Sequence, residues 1–115
     1  MRGLGGGDLG GLMKQAQKQM KDFQRRMREV EEDLKERVVE GSAGGGMVKV
    51  MFNGLQEPLD LQIDPVVLEE EEPEFLQEMI LAAIRQGLKK SEELAERERG
   101  KIAGGLNIPG LDALL

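Results

Sequence analysis

Cysteine and histidine are both absent from this chain of 115 residues, and tryptophan and tyrosine are absent as well. Without thiols there is no disulfide framework and no thiolate metal site, a composition that suits a reducing cytoplasm. Without histidine or cysteine, the usual general base and the usual thiolate nucleophile are missing. Ser42 sits in a glycine-rich stretch and Ser91 in a helical one, neither with a nucleophile-elbow sequence around it. No catalytic residue, metal ligand, cofactor or small-molecule substrate is therefore expected, and the chain reads as a protein that is not an enzyme. The only aromatics are Phe23, Phe52 and Phe75, so base stacking on single strands has few candidates and any core must be aliphatic and methionine-rich. Long apolar runs are missing too, and the N-terminus has no signal-peptide core. The expectation is a soluble, cytoplasmic protein without membrane contact.

Against a net charge of −6, residues 14 to 28 carry six basic side chains and one acid. Lys14, Lys18, Lys21, Arg25 and Arg28 recur at steps of four and three, with Arg26 beside them and Asp22 the lone acid. Such steps place side chains on one helix face. A solvated face usually mixes both signs, so a locally basic rod on an acidic protein points to a polyanion. Phosphate contact by Lys and Arg favours double-stranded DNA with little dependence on sequence. From Lys14 to Arg28 such a helix rises about 21 Å, roughly six base pairs of duplex. Arg85, Lys89, Lys90, Arg97 and Arg99 form a weaker supplementary set, diluted by Glu92, Glu93, Glu96 and Glu98.

Met13, Ala16, Met20, Phe23, Met27, Val30 and Leu34 follow the same alternation and make a heptad seam. With the methionines and Leu34 at a, and Ala16, Phe23 and Val30 at d, the cations fall roughly opposite the seam. So long a seam cannot be buried inside one small domain, which predicts a homo-oligomer. Past the stripe lie Glu29, Glu31, Glu32, Asp33 and Glu36, and the stretch from Val38 to Pro73 holds Lys49 as its single base. The protomer should be dipolar, with a basic arm and an acidic body.

Along the chain, residues 1–11 read as a flexible glycine-rich start, 12–100 as one α-β-β-β-α domain and 101–115 as an irregular tail. Helix 1 should begin near Asp8 or Gly11 and end near Arg37. Val38 and Val39 favour extended structure, and Gly41 to Gly46 reads as a loop. Val48, Val50 and Phe52 share one face of a strand. Asn53-Gly54 signals a type I′ hairpin, and Leu59, Leu61 and Ile63 alternate along a half-buried third strand whose Pro58 belongs at an edge or start. Asp64-Pro65 caps a short helical turn. A second long helix should run from Glu74 to Arg99, with Ala83, Gly87 and Ser91 leaving a groove for close approach. These elements make an α+β fold: a long N-terminal helix, a three-stranded antiparallel sheet and a long C-terminal helix. The run Glu69 to Glu72 lacks the spacing of a calcium loop. The GSAGGG segment lacks the Lys-Ser/Thr ending of a P-loop.

The segments LMKQAQKQM (Leu12–Met20), VEGSAGGGMVKV (Val39–Val50), Asn53-Gly54, Ile63-Asp64-Pro65, LAAIRQGLKKSEEL (Leu81–Leu94) and GKIAGGL (Gly100–Leu106) occur in one order over nearly the whole chain. In that order they resemble the YbaB/EbfC family of bacterial nucleoid-associated proteins. The resemblance implies a homodimer whose small sheets join, with Val48, Val50, Phe52, Leu59, Leu61, Ile63, Ala83 and Gly87 in the core or joint. It implies long helices projecting as a tweezer-like pair, binding to DNA, and a place in the nucleoid, with links to gene expression and repair. The longer glycine-rich start, Pro58 and the run Glu69 to Glu72 depart from the family pattern. The rival reading is a coiled-coil protein-interaction or holdase-like module whose basic stripe meets an acidic partner.

Overall fold

The computed structural model describes residues 6–105. In chain order these form α1 (Gly6–Glu36), β1 (Val38–Ala43), β2 (Val48–Asn53), β3 (Pro58–Ile63), α2 (Pro65–Glu70) and α3 (Pro73–Gly104). The three strands make one antiparallel sheet in the order β1-β2-β3, so the α+β reading with two long helices holds. The register pairs Val39 with Phe52, Gly41 with Val50 and Ala43 with Val48, so these six residues share one face. Helix α3 packs mainly over β1 and β2 on that face, and the core forms between them. Val48, Val50, Phe52, Val67, Met79 and Ala83 are buried, with Val39, Ala43, Ile63, Leu76, Ile80, Ile84 and Leu88 around them.

The small-residue groove on α3 is what lets the layers close. A Cβ on Gly41 would stand 2.0 Å from the Ala83 carbonyl oxygen and 2.4 Å from the Gly87 nitrogen, so strand and helix meet backbone to backbone. A Cβ on Gly87 would lie 2.6 Å from the Phe52 ring. Ser91 completes the row: its buried hydroxyl donates to the Asn53 carbonyl at 2.6 Å and accepts from the Gln56 backbone N–H at 3.1 Å.

This close approach corrects the loop expected at Gly41. The residue belongs to β1, which runs on to Ala43, and the turn is confined to positions 44–47, where Gly44, Gly45 and Gly46 all take positive φ. Asn53-Gly54 does not form the two-residue I′ turn. The loop is longer, its positive φ falls on Gln56, and the Asn53 carboxamide oxygen accepts from the N–H groups of Leu55 (2.9 Å) and Glu57 (3.1 Å). Glycine is required at position 54 by proximity: a Cβ there would come within 2.7 Å of the Leu34 carbonyl oxygen. Asp64 caps α2 as expected, accepting from the Val66 N–H at 3.0 Å.

Both long helices extend further than expected. Helix α1 begins at Gly6 rather than near Asp8 or Gly11, since glycine taxes a helix without forbidding propagation from a favourable neighbour; residues 1–5 lie outside the described residues. Helix α3 continues past Arg99 to Gly104. Ile102 repeats the row of Leu94, Ala95 and Arg99 that faces α1, and it is half-buried. The rest of the expected tail, residues 106–115, lies outside the described residues. In β3, Leu59 and Leu61 are 52% and 48% exposed, because α3 does not reach over that edge.

Candidate nucleic-acid interface

Only the C-terminal part of α1 touches the body. Leu34 is fully buried against Leu94 and Ala95, with Val30 packed beside it. Arg99 fixes the crossing by donating to both carboxylate oxygens of Glu31, at 2.6 and 3.0 Å, and Arg37 reaches Glu98 at 3.4 Å. Hydrogen bonding from Arg99 holds the Glu31 carboxyl below its ordinary value and raises Arg99 in return. The Lys101 ammonium, aided by Arg37, does the same to Glu98. Leu34 of α1 is level with Leu94 of α3, and Glu31 with Arg99, so the helices run antiparallel. Among the described residues, α1 outlasts α3 toward its N-terminus and projects alone; Leu9 to Lys21 are all exposed. The molecule therefore measures 83 × 24 × 16 Å, with a radius of gyration of 22.8 Å, against about 13 Å for a compact domain of about 100 residues.

The arm carries the basic residues. At about 100° per residue, Lys14, Lys18, Lys21, Arg25 and Arg28 fall within an arc of roughly 80°, and the seam lies roughly opposite. All five, and Arg26, are exposed. Asp22 pairs with Arg25 and, at 3.2 Å, with Arg26. Among the described residues, Lys14, Lys18, Lys21 and Arg28 have no ion-pair partner. The same face then changes sign, since Glu29, Glu32 and Glu36 continue the line of the stripe toward the body. A phosphate track along this face must end near Arg28.

Arg85, Lys89 and Lys90 are exposed but do not join the stripe. They sit on α3 on the body side of the Glu31–Arg99 contact, and Lys90 donates to the Glu40 carbonyl at 2.9 Å. Sequence reasoning missed Arg37, which lines a shallow hollow at the root of the arm with Lys90, Glu93, Arg97 and Val38. No local spacing links position 37 to position 97; only the helix crossing does. The residues assigned to core or joint divide in two. Val48, Val50, Phe52, Ala83 and Gly87 are buried and Ile63 is half-buried, whereas Leu59 and Leu61 are exposed. Leu61 borders an open apolar groove with Val50, Phe52, Pro58, Ile80 and Ile84.

A model of the YbaB/EbfC DNA-binding family matches residues 6–106 of the chain. The chain belongs to the YbaB/EbfC DNA-binding family. A nucleoid-associated protein of Syntrophobacter fumaroxidans is 53% identical over 93 residues, covering 81% of this chain and 84% of the relative. One from Pelotomaculum thermopropionicum is 44% identical over 106 residues, covering 92% and 97%. Among solved structures, the crystal structure of the uncharacterized protein HP0035 from Helicobacter pylori matches with a TM-score of 0.65 at 33% identity, covering 88% of this chain and 99% of that one. Membership of the family covers arm and body alike, because the matched span takes in every element from α1 to α3.

Proposed function

We propose that the protein binds double-stranded DNA as a homodimer, through phosphate contacts made by its basic helical arms and with little sequence preference, and that it serves in the organisation of the nucleoid. The observation that carries this reading is the row of five exposed cations on a helix that leaves the body, in a family described as DNA-binding. The relatives' names, nucleoid-associated protein, support the cellular setting. Dimerisation is supported by the apolar groove beside β3, where Leu61 is left half exposed on an edge that a second sheet can cover. The test is a shift assay with random-sequence duplex across a salt series. Six to ten neutralised phosphates give a slope of log K against log salt near −5 to −9. Changing Lys18, Lys21 and Arg25 together to Glu should abolish binding on every sequence while helicity persists. An arm variant that still shifts DNA like the parent refutes the assignment.

A further inference from the structure

The basic stripe uses one face of the arm, and the opposite face is apolar and not covered by any of the described residues. Leu9 is 58% exposed, Leu12 64%, Met13 57% and Met20 41%, with Ala16 also exposed between them. The same line of residues is covered lower down, where Leu34 is buried against α3 and Val30, half-buried, packs beside it. The seam is thus continuous, and only its distal half lacks a cover.

We propose that this distal half is a self-association surface that takes the same segment of a second copy, running antiparallel. Charge selects the occupant. Between Leu9 and Met20 the positions flanking the open seam are Gly10 and Gln17 on one side and Gln19 on the other, with no charge to meet a basic or an acidic partner helix; Arg26, the next flanking position after Gln19, lies beyond that segment. A second copy brings the same neutral borders, and each arm's cations stay on the far side of the pair. Sterics select the direction. Helix α3 occupies the seam below the arm, so a parallel partner would bring its own α3 to the same level on the same side. Antiparallel arms keep the two bodies at opposite ends and also oppose their helix dipoles. The register that uses only exposed seam positions sets Leu9 against Met20 of the second copy and Met13 against Ala16. Twelve residues overlap, about 17 Å of helix. Such a patch belongs to the weak contacts that bury under about 1,200 Å². It gains strength when several arms are held close together. This contact is distinct from the groove beside β3 and exists without DNA. Where the stripe holds duplex, a consequence that rests on the function proposed above, paired arms would present phosphate-binding faces pointing apart and could hold two duplexes.

The absence of native cysteine makes the test direct. Full-length chains carrying Met13→Cys are mixed with chains carrying Ala16→Cys, without DNA, and treated with a short bis-maleimide. The mixed product should exceed both like-with-like products several-fold, and adding Met20→Glu to both chains should remove it. Both cysteines lie on exposed positions of the arm, so folding is checked simply by unchanged far-UV circular dichroism. Dominant like-with-like products would mean parallel arms and overturn the proposal. Equal yields of all three products, or none at any concentration, would overturn it too. So would a mixed product that appears only after removal of residues 106–115, since the chain's own C-terminus would then be the cover. Failure of DNA binding would leave the cross-linking result untouched, so the two readings fall separately.

Discussion

Gly41→Ala adds one methyl group where, among the glycines of the described residues, neighbouring backbone comes closest. Its carbon would start 2.0 Å from the Ala83 carbonyl oxygen, 2.4 Å from the Gly87 nitrogen and 2.8 Å from the Gly87 Cα. All three are backbone atoms, so no rotamer change relieves the clash. Reaching ordinary contact near 3.4 Å means moving β1 and α3 apart by about 1.4 Å (3.4 − 2.0) at that point. A gap of 0.5–1 Å already forfeits roughly a quarter to a half of a dispersion contact, and this opening runs through the core between Val39, Val50, Phe52 and Ala83. Overpacking costs about 1–3 kcal/mol, occasionally more. With rigid backbone on both sides, the upper end applies, about 3 kcal/mol, or roughly 10–20 °C in Tm for a domain of this size. Without tryptophan or tyrosine, the assay is far-UV circular dichroism in urea, at fixed protein concentration because association adds to stability. The midpoint should fall while the slope is kept. Gly100→Ala is the internal control: it lies in α3 with nothing within 4 Å of its added Cβ, and should stabilise by up to about 1 kcal/mol. A Gly41→Ala midpoint equal to the parent's would refute the close-packing argument.

The Glu31–Arg99 pair makes a pH prediction. The folded Glu31 carboxyl lies below its unfolded value, so its stabilisation is complete above the ordinary carboxylate range and is lost as pH falls through the folded value. Glu31→Gln should therefore cost most near neutrality and nothing in strong acid, and because both side chains are 41% exposed the gap should stay below about 1 kcal/mol; urea midpoints over a pH series check it. Asp22→Asn releases Arg25 and Arg26 and removes the one acid inside the stripe, so duplex binding should tighten by no more than about fivefold, the worth of an exposed pair, and weaker binding in a shift assay would count against the phosphate track. Leu61→Asp places a charge in the groove beside β3 and should halve the mass seen by light scattering without loss of helicity; an unchanged mass would move the joint elsewhere.

The parts of the fold that follow from local pattern were legible in the sequence. Alternation placed Val48, Val50 and Phe52 on the core face, and the spacing of Ala83, Gly87 and Ser91 announced a close approach. What could not be read locally was the identity of the approaching element. Gly41 looks like loop glycine because it opens the run GSAGGG, yet its requirement comes from α3, more than forty residues away. Gly54 misleads in the same way: paired with Asn53 it mimics an I′ turn, while the constraint comes from Leu34. The stripe itself was visible because helix periodicity alone builds it. The hollow of Arg37, Lys90 and Arg97 was not, since it depends on how two helices cross.

An acidic protein with a pI near 4.8 gains a route to DNA only if its cations stand clear of its own field. From residue 50 to residue 84 there are nine acids and no base, and these run from the loop after β2 through β3 and α2 into the first turns of α3. Helix α3 runs antiparallel to α1, so its acidic start points away from the arm. Along α1, Lys21 stands about 20 Å from the buried anchor Leu34, more than two Debye lengths at about 0.15 M salt. The body's charge is thus screened from the upper stripe, Lys14 to Lys21, while a phosphate in contact with it is not. Besides Asp22 within the stripe, Glu29, Glu32 and Glu36 are the acids close enough to matter, and they share the face of the cations. They make the lower arm repel what the upper arm attracts, so the function proposed above would confine a bound duplex to the segment from Lys14 to Arg28. On this argument the length of α1 is itself a functional quantity: an arm two turns shorter would bring the cations into the field of the body's acids and lose the contrast that makes the stripe attractive.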